Sequence, residues 1–148
     1  MRAAVLAAVL VVLVLYTLFR GVPERWTVDR LEMRLASATV EGTDTVPVGA
    51  YARYYAEARP KAWNELGFTT PPPAGTAPPP RGRTVIAGVL VRPADGETGG
   101  PGIRRVRANE LPVIEDGGCS VVNVLYDPKE DELLGAWCNG RGQPPAAP

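Results

Sequence analysis

Histidine is absent from this chain, and other chemically versatile side chains are scarce: two cysteines and two methionines in 148 residues. Histidine is the commonest general base and the commonest metal ligand near neutral pH. Its absence excludes Ser-His-Asp and Cys-His hydrolases and every zinc site that uses imidazole. Net charge is absent too, since 16 Lys and Arg balance 16 Asp and Glu. Setting aside Arg2 and Arg20, which flank an apolar run, leaves 14 basic against 16 acidic residues. Nucleic-acid binding needs a concentrated basic face. The short cluster Arg104, Arg105, Arg107 is read as the solvated side of a strand, so no nucleic-acid partner is expected.

Sequence motifs for chemistry are missing as well. There is no G-x-S-x-G, no P-loop and no dinucleotide fingerprint. The glycines of Gly96–Gly102 lack a strand-loop-helix context for holding phosphate. Asp127, Glu130, Asp131 and Glu132 lack the alternating acid spacing of a calcium loop, and Lys129 stands among them. Glu110, Glu115 and Asp116 are read as solvated loop residues. The sequence therefore nominates no catalytic residue, no metal site and no cofactor.

What the chain does have begins at its N-terminus. Ala3 to Phe19 is seventeen residues without a charge, preceded by Arg2 and followed by Arg20. As a helix it would extend about 25 Å, short but adequate for a bilayer core. Tyr16 and Phe19 suit an interfacial boundary. Tyr16 to Pro23 offers no small-x-small cleavage site, and Ala36-Ser37-Ala38 lies too far downstream. No cysteine follows the run to carry a lipid. An uncleaved signal-anchor is favoured over a cleaved signal or a buried core helix. Residues 3–19 are expected to contact the bilayer, N-terminus in, with the body in the periplasm or extracellular space. Ala3/Ala7 and Ala4/Ala8 form small-xxx-small pairs, a weak signal for helix association.

Residues 21–45 read as a stalk. Val28, Leu31 and Leu35 fit a helical face, and Asp29, Arg30, Glu32 and Arg34 favour helix over the competing strand alternation. Thr43-Asp44-Thr45 reads as a turn, with Pro47 in a first helical turn. Tyr51, Tyr54, Tyr55 and Ala58 stand at i, i+3, i+4 and i+7, which predicts an amphipathic helix ended by Pro60, with Trp63 and Leu66 continuing its apolar surface. Rings packed on a sheet explain this stripe. An interaction face of Tyr51, Tyr54, Tyr55 and Trp63 is the functional alternative.

Residues 69–82 hold six prolines in fourteen positions, a stiff exposed connector or a proline-rich ligand for another module. Strands are expected over 84–91, 103–108, 119–126 and 131–138, with 111–114 an edge segment because Pro112 cannot donate to a ladder. Residues 94–102 and 115–118 read as turns, and 141–148 as a disordered tail. The expected fold class is α+β: an N-terminal transmembrane helix over residues 1–20, then a small domain over 46–140. In that domain one amphipathic helix packs on a four-stranded antiparallel meander, similar in topology alone to cystatin-like rolls.

The cysteines supply the sharpest structural expectation. A four-residue loop at 127–130 places Tyr126 opposite Asp131 and therefore Cys119 opposite Cys138. Directly opposed residues lie about 4.5–5.5 Å apart at Cα, within disulfide reach. A disulfide in turn implies an oxidising compartment. The sequence thus points to a membrane-anchored extracytoplasmic binding or structural module with an envelope protein as a possible partner. An accessory subunit of a larger membrane complex, or a hydrolase with unidentified acids, are the alternatives.

Overall fold

The computed structural model describes residues 2–40, 47–93 and 100–140. The turns read at 43–45 and 94–99 and the tail at 141–148 lie outside the described residues. Helix α1 spans Arg2–Phe19 and α2 spans Arg25–Ala36. Five strands follow: β1 (Ala52–Ala58), β2 (Val85–Val91), β3 (Gly102–Arg105), β4 (Gly118–Asp127) and β5 (Glu132–Asn139). They form one sheet in the order β3-β1-β2-β4-β5. β1 is antiparallel to β2, β2 to β4 and β4 to β5, whereas β3 is parallel to β1.

The expected four-stranded antiparallel meander is therefore corrected to a five-stranded mixed sheet. β2 and β4 are buried almost throughout, with VIAGVLV and VVNVLY apolar on both faces, so they belong in the middle of the sheet. β3 has four residues, of which Ile103 and Arg105 are exposed, and it takes the outer edge beyond β1. The 111–114 segment is not a strand. It lies across the sheet and buries Leu111.

The expected amphipathic helix is also corrected: Ala52–Ala58 is strand β1. Tyrosine is a strong strand former, and β1 finds a full-length partner in β2, from Ala52 opposite Val91 to Ala58 opposite Val85. That pairing overrides the local helical spacing. Gly88 of β2 makes it possible, since a Cβ there would lie 2.8 Å from ring carbons of Tyr55.

The sheet buries both faces. On one, Val28, Leu31 and Leu35 of α2 join Tyr51, Tyr55, Ile86, Leu90, Val122, Val124 and Tyr126. The segment read as a stalk is thus a helix, and it belongs to the core. Its apolar residues repeat one turn apart, and their burial supplies the stability that an isolated twelve-residue helix would lack. Among the described residues no α-helix covers the opposite face. Leu66, Phe68 and Leu111 close over Val85, Ala87, Val89, Val121, Leu125 and Trp137, and Phe68 meets Trp137 edge to face at 5.1 Å.

The proline-rich connector is pinned to this face rather than held away from it. Trp137 Nε1 donates to the Thr70 carbonyl at 3.0 Å, and the Thr69 and Thr70 hydroxyls donate to Asn139 Oδ1. Asn139, 1 % exposed, also donates to the Ile114 carbonyl, so one buried amide ties the connector and the 111–114 segment to β5. Gly135 makes room for the connector, because a Cβ there would stand 3.2 Å from the Thr76 methyl.

Helix α1 stands apart from this core. Its side chains are exposed from Ala7 to Phe19, and Gly21 ends it at φ +88°, a left-handed stop that suits glycine. Among the described residues no helix is long and apolar enough to cross a membrane.

Candidate functional site

The disulfide forms: Cys119 and Cys138 are bonded, with Cα atoms 4.5 Å apart. The path to it differs from the simple hairpin. The loop falls one residue later, over 128–131, so that Asp127 faces Glu132. The ladder then shifts twice, between Leu125 and Tyr126 and again between Gly118 and Val122. The second shift lets Cys119, Ser120 and Val121 bulge from β4, which restores the open end with Gly118 opposite Asn139 and the cysteines in reach.

The tyrosines do not share a face. Tyr51 and Tyr55 point under α2 and are buried, whereas Tyr54 lies on the other side of the sheet with the Arg104 guanidinium 5.2 Å from its ring centre. Tyr51 donates to the Cys119 carbonyl at 2.9 Å. Tyr55 donates to Glu32 at 2.5 Å, and Glu32 also pairs with Arg53 at 3.2 Å. Burial first, and the Glu32 carboxylate second, push the Tyr55 phenol well above its ordinary range. The two contacts to Glu32 hold α2 to β1. Trp63 begins a short 3-10 turn, Trp63–Leu66; its side chain lies outside the described residues.

The acidic hairpin tip is neutralised from within. Asp127 accepts from the backbone amides of Lys129 and Glu130 and pairs with Arg83 at 2.7 Å. Asp131, held at φ +53°, accepts from the Tyr126 hydroxyl at 2.5 Å and from Arg34 at 2.6 Å. The Arg34 and Tyr126 hydrogen bonds lower its carboxyl to about 2. Burial, then the bond to Asp131, pushes the Tyr126 phenol up to about 12. Arg30 donates to the Pro128 carbonyl at 2.7 Å. Among the described residues no group of three or more His, Cys, Asp or Glu is arranged to hold a metal ion.

A different place remains open. Where α1 enters the domain, Arg20, Gly21, Glu57, Ala58, Arg59 and Thr84 line a cleft of about 220 Å³. Three contacts build it. The Glu57 amide donates to the Gly21 carbonyl, which fixes the end of β1 beside the end of α1. Arg107 donates to the Leu18 carbonyl and so satisfies one of the last free carbonyls of α1 with a cation. Arg59 Nε donates to the Thr84 hydroxyl at 2.8 Å. Burial, and then the nearby Glu24 carboxylate, raise the Glu57 carboxyl above its ordinary range, with Arg59 opposing.

Sequence reasoning missed this cleft because its residues come from three segments that are not periodic with one another. Arg20 was legible only as a flank of the apolar run, and Arg59 only as one arginine before a proline. Comparison of the chain with protein-family models, with curated proteins and with solved structures finds no match.

Proposed function

We propose that the chain is a membrane-anchored, extracytoplasmic binding module whose ligand-facing surface lies where α1 meets the domain. One observation carries the reading. From Val9 to Phe19 the large apolar side chains of α1 are 47–69 % exposed, on every side of the helix, whereas elsewhere among the described residues exposed large apolar side chains are scattered singly, at Trp26, Met33, Ile103 and Val113. A helix that is apolar all round needs an apolar surrounding, and a bilayer supplies one along residues 3–19. Two further features support it. Trp26 and Arg25 lie exposed close beyond the helix end, the residue types that settle at a bilayer interface. The Cys119–Cys138 bond suits an oxidising compartment outside the cytoplasm.

The test is alkaline extraction of membranes from cells expressing the full chain, with free thiols alkylated before lysis. The proposal expects the chain in the membrane pellet at full-length mass with no alkyl groups. Recovery in the soluble fraction would remove the anchor, and two alkyl groups would place the domain in a reducing compartment. The exposed α1 also suits an accessory subunit that binds partner helices in the membrane. Replacing residues 3–19 by an unrelated anchor separates the two, because only the subunit loses its place in a complex.

A further inference from the structure

The cleft at the foot of α1 has a charge pattern of its own. Arg20 follows directly on Phe19, the last residue of α1, and lines the cleft. Many arginines of the body are already committed: Arg34, Arg53, Arg83 and Arg107 pair with carboxylates, and Arg30 with a carbonyl. Arg20 and Arg59 form no ion pair among the described residues, and the hydrogen bond of Arg59 to Thr84 uses Nε alone. Two cations with unused donors at the foot of α1 suit a phosphate diester, which arginine binds through paired N–H groups.

Glu57 makes the pattern more specific. It lines the same cleft as Arg59 and stands two residues before it, at the end of β1. A carboxylate here opposes a simple anion and favours a ligand that carries a cation beside its phosphate. The volume, about 220 Å³, is below the about 300 Å³ at which pockets for larger small molecules begin. We infer that this cleft holds the headgroup of a zwitterionic phospholipid with a primary ammonium, the phosphate on Arg20 and Arg59 and the ammonium on Glu57. The inference rests on the membrane reading and names the ligand of that same surface. Phosphoethanolamine in solution shares the chemistry, so the test must separate lipid from soluble ester.

The full-length oxidised protein in non-ionic detergent would be titrated with phosphatidylethanolamine, phosphatidylcholine and phosphatidylglycerol, and the retained lipid counted by native mass spectrometry. The ethanolamine lipid is expected to be retained best, since phosphatidylcholine has no ammonium N–H and phosphatidylglycerol has no ammonium. The Arg20→Gln/Arg59→Gln variant should lose retention roughly five-fold per arginine, or about twenty-five-fold. Glu57→Gln should keep the phosphate affinity and lose the preference for the ethanolamine lipid over phosphatidylglycerol. Equal retention of the three lipids by the wild type, or an unchanged pattern in either variant while that variant stays folded, overturns the inference. Phosphoethanolamine binding as tightly as the lipid would reassign the cleft to a soluble ester and also overturn it. The membrane reading fails separately, if the full chain does not float with phosphatidylcholine vesicles.

Discussion

Replacing Leu31 by alanine tests whether α2 is structural core or merely a tether between α1 and the sheet. Leu31 is fully buried, with Val28 and Leu35 one turn to either side and Tyr55, Ile86, Leu90 and Tyr126 in the same cluster. Its surroundings are mostly strand side chains whose positions are fixed by the ladder, so a void left there would collapse only in part. Leucine-to-alanine changes at such sites cost about 2–5 kcal/mol, the lost transfer energy plus a cavity contribution. Taking about 3 kcal/mol, and about 4 °C per kcal/mol for a domain slightly above 100 residues, the melting temperature should fall by about 12 °C. Met33→Ala on the same helix is the control. Met33 is 67 % exposed, and surface changes of this kind usually stay within about 0.5 kcal/mol. Thermal melts of the oxidised full-length chain in non-ionic detergent, followed by near-ultraviolet circular dichroism, read both variants. Trp137, 2 % exposed, gives that signal a reporter in the opposite half of the core. Equal small shifts for the two variants would refute the packing of α2 on the sheet and return residues 25–36 to the role of a stalk.

Three further outcomes follow from the same geometry. The Cys119→Ser/Cys138→Ser variant frees a loop of sequence separation 19 and should lose about 3 kcal/mol by the chain-entropy relation, measured by the same thermal melt; an unchanged melting temperature would show that the bond has no structural role. Glu57 has a carboxyl raised by burial and by Glu24, so its charged form opposes folding at neutral pH. Glu57→Gln should therefore melt higher than wild type at pH 7, and the gap should close as the pH falls below the ordinary carboxylate range; a gap independent of pH would contradict this. Asp131 is lowered to about 2 from 3.8, so its stabilisation is present above about pH 4 and is lost as the pH falls through about 2. The wild type should melt above Asp131→Asn at neutral pH and converge with it in acid, and asparagine tolerates the left-handed backbone at this position, so backbone strain does not confound the comparison.

Some features are legible residue by residue. The pairing of Cys119 with Cys138 needs two cysteines flanking a hairpin of suitable length, and it holds although the loop and both bulges differ from the simplest register. The strand character of Val85–Val91 and Gly118–Asp127 follows from continuous apolar runs that a helix on one sheet face would not need. The helix at Arg25–Ala36 follows from Val28, Leu31 and Leu35 at helical spacing. Tyr51, Tyr54 and Tyr55 show the limit of such reading. Their spacing satisfies a helix, yet parity in a strand sends Tyr54 to the opposite face. The choice was made by β2, whose edge supplies seven paired positions, and by Gly88, which admits the Tyr55 ring.

The sequence by itself determined the charge balance, the lack of imidazole chemistry, the apolar N-terminal run, the hairpin that carries the disulfide, and the α+β class. These depend on residue type and near-neighbour spacing, which a linear chain displays directly. Tertiary structure alone decided that α2 is core, that β3 crosses to the far edge beside β1, and that Asn139 and Trp137 bind the proline-rich connector to the sheet. It alone brought Arg20, Glu57, Arg59 and Thr84 around one cleft. Those outcomes depend on which surfaces compete for the same neighbour, and the energy of burying one pairing rather than another is a property of the assembled sheet, not of any segment read alone.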